Sequence, residues 1–268
     1  MFIDKERDIK IMGIVNLTED SYYAGSRCAD LNSTLDRIAL MLDEGADMID
    51  IGACSTRPGS APVGEEEEWR RLRTVLGEIA LRWPGLRISI DTYWSSVVRN
   101  AYDVIGNFTV NDISAGEDDP EMLSTVGALG LQYVAMHKRG TPQTMQEMTD
   151  YESVTDAVLE YFCRFSLKAE EAGIKDWILD PGFGFAKTIA QNYELLRNLA
   201  DFRRFGRPLL VGISRKSMIY KRFGITPEES LPATQVLHLH ALNCGADVLR
   251  VHDVAEAART VAIYRMVQ

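Results

Sequence analysis

The sequence predicts a single (β/α)8 barrel of the α/β class over residues 1–268, and three observations support this prediction. Eight short apolar runs rich in Ile and Val alternate with eight stretches of helical spacing, which is typical of a parallel sheet. Each run ends in a polar or glycine-containing cluster. The chain has 268 residues, 46% of them hydrophobic, which suits one barrel domain. A doubly wound open sheet is the alternative, but eight repeats favour a closed barrel.

The predicted elements follow one another in regular order along the chain. The apolar runs predict strands at residues 11–15, 48–52, 88–90, 108–110, 133–136, 177–179, 209–213 and 248–251. Apolar residues spaced three and four apart predict helices at 31–44, 65–83, 95–102, 120–129, 152–172, 189–199, 227–243 and 255–266. Gly45, Gly130, Gly173 and Gly245 follow four of these helices, as glycines just past a helix end do.

Two connections are longer than the usual loop between a strand and the next helix. They cover residues 17–30 and 53–64, and both are rich in small and polar residues. Loops of this length in a compact domain are commonly lids or binding loops, although slack surface loops are the alternative. We expect both to lie at the mouth of the barrel, the end where the carboxyl ends of all strands open.

The overall charge argues against nucleic acid as a partner. The formal net charge is −10, and no run of Lys or Arg is long enough to follow a phosphate backbone. The predicted mouth nevertheless collects many basic residues, so we expect a locally positive site and an anionic substrate. These basic residues are Arg57, Lys138, Arg139, Lys187, Arg215, Lys216 and Arg250.

The sequence carries no sign of a membrane segment or of a disulfide framework. No segment approaches the roughly 20 apolar residues that span a bilayer, and residues 1–10 contain no apolar signal region, so we expect a cytoplasmic protein without a membrane partner. The four cysteines are far apart and form no CxxC pair, so we expect free thiols.

Acid and amide side chains end three of the predicted strands, at Asp91, at Asn111 followed by Asp112, and at Asp180. A helix cap is the alternative role for Asp180, but three such ends are too many for caps. A carboxylate accepts two parallel hydrogen bonds from an amine beside a ring N–H, and Lys216 supplies a donor for the ring carbonyl. The set predicts a site for a 2-amino-4-oxo-pyrimidine ring, either a pterin or a guanine.

A second group of residues suits an anion. Residues 214–217 follow the seventh strand, and Arg250 and His252 lie on one side of the eighth. Phosphate commonly binds at the loops after these two strands, although Arg250 could instead be a core residue paired with an acid such as Asp253. Asn16 ends the first strand and could give Mg²⁺ one oxygen ligand if the substrate brings a diphosphate; a turn-forming role is the alternative.

Several other signals indicate structural roles. The acidic run 65–68 is expected to be a solvated first helical turn rather than a metal site. Residues 180–186 only partly match a dinucleotide-binding loop, and His137 is expected to be structural. No nucleophile elbow or thiol-ligand spacing supports covalent or zinc chemistry.

Taken together, these motifs resemble dihydropteroate synthases nearly from end to end, and eight of them in order are highly specific. The matching stretches are residues 12–18 with 20–21, 50–52 with 55–59, 90–92, 110–114, 136–137 with 139–142, 180–182 with 184–185 and 187–188, 212 with 214–217, and 250–253.

The resemblance implies a transferase of folate biosynthesis that joins 4-aminobenzoate to 6-hydroxymethyl-7,8-dihydropterin diphosphate and releases pyrophosphate. It also implies Mg²⁺ as cofactor and a homodimer, for which the apolar helix around 237–242 could supply an interface. The implied pterin site is Asp91, Asn111, Met136, Asp180, Lys216 and Arg250. The implied 4-aminobenzoate site is Thr56, Arg57, Pro58, Phe185 and Ser217. The implied diphosphate site is Asn16, Arg250 and His252, with the metal at Asn16. The implied catalytic residues are Asp91, Asp180, Lys216, Arg250 and His252.

Some positions depart from the commonest pattern of this family. Glu19, Ala24 and Cys54 stand where Pro, Asp and Glu are usual, and Ala115 and Ala186 replace glycines. None of these changes removes a residue that is expected to bind the ring or the anion, so they bear on loop closure rather than on the reaction. A corrinoid-dependent methyltransferase and a non-catalytic pterin-binding protein are the alternatives, and the anion-binding residues argue against both.

Overall fold

Eight parallel strands form a nearly closed barrel in the computed structural model, which describes residues 7–17, 30–54, 63–141, 143–145 and 147–268, and this confirms the predicted fold class. The strands are β1 (Lys10–Asn16), β2 (Met48–Gly52), β3 (Ile88–Asp91), β4 (Thr109–Asp112), β5 (Gln132–Met136), β6 (Trp177–Asp180), β7 (Leu210–Val211) and β8 (Val248–Val251). Their order around the sheet is β6-β5-β4-β3-β2-β1-β8-β7. A parallel bridge between Leu179 and Leu209 joins β6 to the residue before β7 and completes the circle.

The helices cover the outside of the barrel. They are α1 (Leu31–Asp43), α2 (Glu65–Arg82), α3 (Ser95–Ile105), α4 (Met122–Leu129), α5 (Val154–Glu171), α6 (Ile189–Arg197), α7 (Ser217–Phe223), α8 (Leu231–Asn243) and α9 (Val254–Val267). Seven of them match predicted helices to within a few residues at each end. Asp30 begins α1 by accepting a hydrogen bond from the Ser33 N–H, and Thr188 and Gln191 form a capping box that begins α6.

The unit after the sixth helix differs most from the prediction. Strand β7 has only two residues where 209–213 was expected, since the chain leaves the ladder at Gly212 and turns at Arg215, whose φ is +52°. The short helix α7 was not predicted, because its seven residues are too few to show a periodic pattern. Helix α8 begins at Leu231, after a short 3-10 turn, rather than at Pro227.

Strand residues alternate between the barrel interior and the helices. Six apolar side chains, one from each of six strands, form a buried layer of their own: Met12, Met48, Val134, Ile178, Leu210 and Val248. The alternate residues, such as Ile49 and Ile90, belong to the larger core between the barrel and the helices. Burying a side chain of this size contributes about 1.5–3 kcal/mol, so both layers hold the strand ends in place.

Two further features bear on where function lies. A cavity of about 870 Å³ opens at the amino-terminal ends of the strands and is lined by residues such as Lys10, Arg207 and Val248. None of the predicted site residues that the structure describes lines this cavity, and those residues lie at the opposite end of the barrel. Within the described part of the chain, no helix is both long enough and apolar enough to cross a membrane.

Candidate active site

The alternation of the strands brings the predicted ring-binding residues into one layer at the mouth. Asp91 pairs in register with Gly52 on one side and with Asn111 on the other, and Met136 pairs with Asp180. In each strand, these residues stand an even number of positions after a residue that faces the barrel interior, such as Val134 before Met136 and Ile178 before Asp180. Their side chains therefore also face the barrel axis. The structure therefore places the predicted pterin residues together.

Arg250 occupies the centre of this layer and contacts two carboxylates. Its Nε lies 2.7 Å from Asp50 Oδ2, and its Nη2 lies 2.6 Å from the same oxygen and 2.9 Å from Asp91 Oδ2. The Asp50 side chain is fully buried, whereas that of Arg250 is 21% exposed toward the mouth. Sequence reasoning considered Asp253 as a partner of Arg250, and the structure shows that the partners are Asp50 and Asp91.

Asp50 was not among the predicted site residues, although it organises the layer. The Asn111 Nδ2 donates to both of its carboxylate oxygens, at 3.2 and 3.1 Å. This contact fixes the amide so that the Asn111 Oδ1 is the atom available to accept a hydrogen bond from a ligand. A signal was present in the sequence, since Asp50 is an acid in the middle of the apolar run Met48–Gly52.

Burial shifts the acid equilibria of the two ring-facing carboxyl groups. It raises the pKa of Asp91 to about 7; Arg250 opposes the shift, and the nearby carboxylates of Asp50 and Asp180 add to it. Burial also raises the pKa of Asp180, against the charge of Lys216. Asp91 is therefore close to gaining a proton near neutral pH unless a cation or a ligand N–H stabilises its charge, and burial shifts Asp180 in the same direction.

Lys216 stands beside the loop that follows β6. Its Nζ donates to the Phe183 carbonyl and lies 4.8 Å from the centre of the Phe185 ring. A Cβ added at Gly184 would approach the Lys216 Cδ to 3.3 Å, so glycine gives this side chain its room. Burial lowers the pKa of Lys216 to about 8, against the carboxylate of Asp180, which leaves a donor that still carries its charge at neutral pH.

His252 lies next to Ser214 at the other side of the mouth. Its Nδ1 is 3.0 Å from the Ser214 Oγ, its backbone N–H donates to the same oxygen at 3.2 Å, and Arg37 donates to its carbonyl at 2.7 Å. Burial, reinforced by the charge of Arg250, lowers the pKa of His252 to about 3. The imidazole is therefore neutral, so it can donate a hydrogen bond but carries no charge.

The mouth carries less positive charge than the sequence indicated, because several of its basic residues are paired with acids or buried within the protein. Arg215 forms an ion pair with Asp253 at 2.7 Å, and Lys138 pairs with Asp118 at 2.5 Å. Arg139 pairs with Asp150 at 3.2 Å and lies over a tyrosine ring. Lys187 is buried within the loop after β6. Sequence alone could not separate these from Arg250, since the partners are distant along the chain.

Two acids have roles that differ from the expectation. Asp112 faces away from the barrel axis, accepts from the N–H groups of Ser114 and Gly116 at 2.7 and 2.8 Å, and accepts from the Tyr133 hydroxyl at 2.6 Å; it is a structural cap. Glu68 was expected to be solvated but is fully buried, whereas Glu65 and Glu66 are exposed as predicted. Burial raises the pKa of Glu68 to about 8, which the nearby Thr92 hydroxyl opposes.

The remaining predicted residues divide into two groups. Phe185 and Ser217 both lie at the mouth and are partly exposed, one in the loop after β6 and the other at the start of α7. Thr56, Arg57 and Pro58 lie outside the described residues, as do Glu19 and Ala24. His137 is buried and structural, as expected.

Of the family departures that the structure describes, three have local consequences. Cys54 is buried, with its Sγ 3.5 Å from the Tyr93 hydroxyl. Ala115 and Ala186 adopt φ values of +48° and +49°, a conformation in which a Cβ is strained and glycine is not. The absence of glycine at these two turns therefore costs stability.

The comparisons with known proteins agree with this geometry. The chain matches the pterin binding enzyme family over residues 12–252. It is 41% identical to the dihydropteroate synthase of Escherichia coli over 255 residues, which cover 94% of this chain and 89% of that protein. A Yersinia pestis dihydropteroate synthase with a sulfonamide drug complex superimposes with a TM-score of 0.92 at 34% identity, covering 99% of this chain and 95% of that one. A Xanthomonas albilineans dihydropteroate synthase with 4-aminobenzoic acid gives a TM-score of 0.88 at 35% identity, covering 98% and 94%.

Proposed function

Because the chain belongs to the pterin-binding enzyme family and matches dihydropteroate synthases over nearly its whole length, we propose which residues at its barrel mouth bind each substrate of the dihydropteroate synthase reaction. The protein is a transferase of folate biosynthesis, which condenses 4-aminobenzoate with 6-hydroxymethyl-7,8-dihydropterin diphosphate to give 7,8-dihydropteroate and pyrophosphate. The main observation behind this assignment is the inward layer of Asp91, Asn111 and Asp180 around Arg250.

The pterin ring is proposed to bind in this layer. Asp91 and Asp180 accept hydrogen bonds from the amine and ring N–H groups, and Asn111 offers its Oδ1 because its Nδ2 is held by Asp50. Lys216 donates to the ring carbonyl, and the buried Met136 closes the side of the site near Gly182. The pairing of acceptors with ring donors also stabilises the two buried carboxylates, whose pKa values are raised without a ligand.

The 4-aminobenzoate is proposed to bind nearer the surface of the mouth, against Phe185 and Ser217. The partly exposed ring of Phe185 offers an apolar face, and the first turn of α7 carries Ser217 beside Lys216. Thr56, Arg57 and Pro58 complete this proposed site from residues outside the described ranges. A guanidinium suits the carboxylate of the benzoate, which is the role that we assign to Arg57.

The diphosphate is proposed to meet Asn16, Arg250 and His252. Arg250 supplies charge, and the neutral His252 supplies a hydrogen bond beside Ser214. A Cβ at Gly52 would stand 3.5 Å from the Asn16 Oδ1, so glycine at this position keeps space beside that amide oxygen. An amide oxygen suits one ligand of a Mg²⁺ ion that otherwise binds diphosphate oxygens and water. Among the described residues, no group of three acidic, His or Cys side chains could hold a metal ion.

The reaction is a substitution at the methylene carbon of the pterin. As the bond to the diphosphate breaks, positive charge develops on the pterin, and the carboxylates of Asp91 and Asp180 stabilise it. Arg250 and His252 hold the departing anion, and Mg²⁺, when bound, neutralises part of its charge. The arylamine nitrogen then forms the new bond to the methylene carbon and releases one proton to solvent or to the departing pyrophosphate. No covalent enzyme intermediate is needed, so the residues act by position and charge.

A cytoplasmic location and a homodimer stay predictions. Within the predicted interface helix, Leu242 is fully buried in the core, whereas Leu237 and Leu239 are partly exposed. Further exposed apolar side chains are Val236 on α8 and Ile263 and Met266 on α9, which packs against α8. We propose that a second copy covers them, and light scattering of the purified protein would give the mass of the assembly directly.

The proposed function is tested by measuring pyrophosphate release. We expect release with the pterin diphosphate, 4-aminobenzoate and Mg²⁺ together, and only background release when 4-aminobenzoate is left out. Tight pterin binding without turnover under the complete conditions would instead support a non-catalytic pterin-binding protein. Transfer of a methyl group from methyltetrahydrofolate to a corrinoid would support the methyltransferase alternative.

A further inference from the structure

Lys187 lies beneath the loop of residues 181–186 rather than at the mouth surface. It is almost fully buried, and its Nζ is 3.0 Å from the His137 Nδ1, 2.9 Å from the Gly182 carbonyl oxygen and 3.0 Å from the Phe185 carbonyl oxygen. These three acceptors come from two elements, since His137 follows β5 and the carbonyls belong to the loop after β6. One side chain therefore ties both ends of the loop to the neighbouring strand.

The number of acceptors matches the charged form of this side chain. An ammonium group has three N–H donors and no acceptor, so each donor finds one partner. A neutral amine has two donors and one lone pair, so it would keep all three contacts only if His137 donated from Nδ1 instead. With the charged amine, the Nδ1 of His137 accepts and the ring proton lies on Nε2. Burial together with the nearby charge of Lys187 holds the pKa of His137 well below its usual range, so the ring is neutral and can accept.

The loop that Lys187 holds carries groups that face the substrates. Its outer side presents the Phe185 ring, and its Phe183 carbonyl accepts from Lys216. A Cβ at Gly182 would stand 2.0 Å from the His137 carbonyl oxygen, so the loop packs directly on the end of β5. Asp180, in contrast, is a residue of β6, and its carbonyl accepts from the His137 N–H at 3.1 Å. The Asp180 Oδ1 also accepts from the Gly182 N–H at 2.8 Å, but the backbone of Asp180 is held in the strand ladder, where it pairs with Met136.

We propose that Lys187 is a positioning residue that holds the 181–186 loop in the conformation presenting Phe185 to 4-aminobenzoate, with His137 as its partner on β5. Lys187 itself touches neither substrate. The inference rests on the proposed function, since it assigns Phe185 to the 4-aminobenzoate site. It predicts that the loss of Lys187 acts on the second substrate far more than on the pterin.

The first test removes the charge of Lys187 but keeps a side chain of similar length. We expect Lys187→Met to raise the KM for 4-aminobenzoate by about tenfold or more, the size expected when hydrogen bonds to a charged group are lost. The dissociation constant of the pterin diphosphate should change by less than about threefold, because β6 still holds Asp180. Lys168→Met is the matched control, since Lys168 is exposed on α5, and it should leave both constants unchanged.

A double-mutant cycle tests whether Lys187 and His137 act through one contact. His137→Phe removes the acceptor but keeps a ring against Tyr161, whose ring centre is 5.0 Å away. We expect its effect on the KM to be smaller but in the same direction, and the double variant to resemble Lys187→Met alone. Additive effects of the two changes would overturn the pairing. His137→Phe also keeps the proposal testable if Lys187→Met fails to fold.

The pH dependence gives an independent measurement. Burial lowers the pKa of Lys187 to about 7, against the carboxylate of Asp180 and with the charges of Lys216 and Arg139 adding to the fall. As the pH rises through this value the ammonium loses a donor, so the KM for 4-aminobenzoate of the unmodified protein should rise. In Lys187→Met this part of the pH dependence should be absent.

The outcomes separate this proposal from the proposed function. An unchanged KM for 4-aminobenzoate in Lys187→Met, or a loss of pterin affinity as large as the rise in KM, would overturn the positioning role. Failure of the unmodified protein to release pyrophosphate with both substrates would instead overturn the proposed function and would leave the loop geometry intact.

Discussion

Replacing Asp50 with Asn should damage both stability and the pterin site, because this carboxylate anchors Arg250 and Asn111. The variant keeps the size of the side chain but removes its charge from Arg250, which is 2.6–2.7 Å away. Removing one partner of a buried ion pair costs about 3–5 kcal/mol. Arg250 is 21% exposed and keeps Asp91 at 2.9 Å, so we expect about 2 kcal/mol here, or a Tm lower by about 4–8 °C for a domain of this size.

The same substitution should change the ionisation of Asp91. The charge of Asp50 contributes to raising the pKa of Asp91 to about 7, so its removal should lower that pKa. The acid limb of the pH dependence of pterin binding should then move to lower pH, while the maximal affinity falls because Asn111 loses its fixed orientation. Thermal unfolding and titration calorimetry with the pterin diphosphate between pH 5 and 8 measure both effects.

A matched control is Asp36→Asn, since Asp36 is exposed on α1. It should leave the Tm, the affinity and the pH dependence unchanged. If Asp50→Asn unfolds at the same temperature as the unmodified protein and binds the pterin with an unchanged pH dependence, then the charge of Asp50 does not organise Arg250, and the reasoning is wrong.

Three further predictions follow from single side chains. Asp180→Ala should abolish pterin binding by calorimetry, whereas unchanged affinity would show that the ring lies elsewhere in the mouth. Glu68→Gln should stabilise the protein at high pH: because burial raises the pKa of Glu68 to about 8, the stability that the protonated carboxyl contributes is lost as the pH rises toward that value. Urea unfolding at pH 5 and pH 9 should therefore show a difference from the unmodified protein that grows with pH, up to about 4 kcal/mol, and a pH-independent difference would contradict the burial argument. Ala186→Gly should raise the free energy of unfolding by up to about 1 kcal/mol, because it relieves a φ of +49°; a loss of stability would mean that the methyl group's packing outweighs its strain.

The fold could be predicted because its signals are local and repeated. Each apolar run and each helical spacing is visible within a few residues, and the eight units support one another. The seventh unit was the exception: α7 and the two residues of β7 are shorter than the window over which periodicity can be seen. The turn between them depends on Arg215, whose partner Asp253 lies 38 residues further along the chain.

The site was predicted less completely, because it depends on which face each side chain takes. Asn111 and Asp112 are neighbours in sequence, yet one faces the barrel axis and the other caps a turn outside it. The sequence cannot choose between them without the register of β4. Asp50 lies in the same inward layer as Asp91, and although residues 50–52 form one of the matching stretches, nothing in the sequence pairs this acid with Arg250, which lies 200 residues further along the chain. Lys187 looked like Lys216 in sequence, and only the path of the loop separates a buried tie from a ligand donor.

The charges buried at the mouth also explain how the site is organised before any substrate binds. Buried carboxyl groups tend to gain protons, and Asp91 must stay an acceptor to bind the ring. Arg250 opposes the protonation of Asp91, but its guanidinium could turn toward any of several neighbouring acids. Asp50 prevents this, because it holds two nitrogens of Arg250 from the side away from the mouth and holds the amide of Asn111 at the same time. Asp50 thus orients two side chains that are proposed to bind the substrate, Arg250 and Asn111, and this preorganisation is what the alternation of strand faces makes possible.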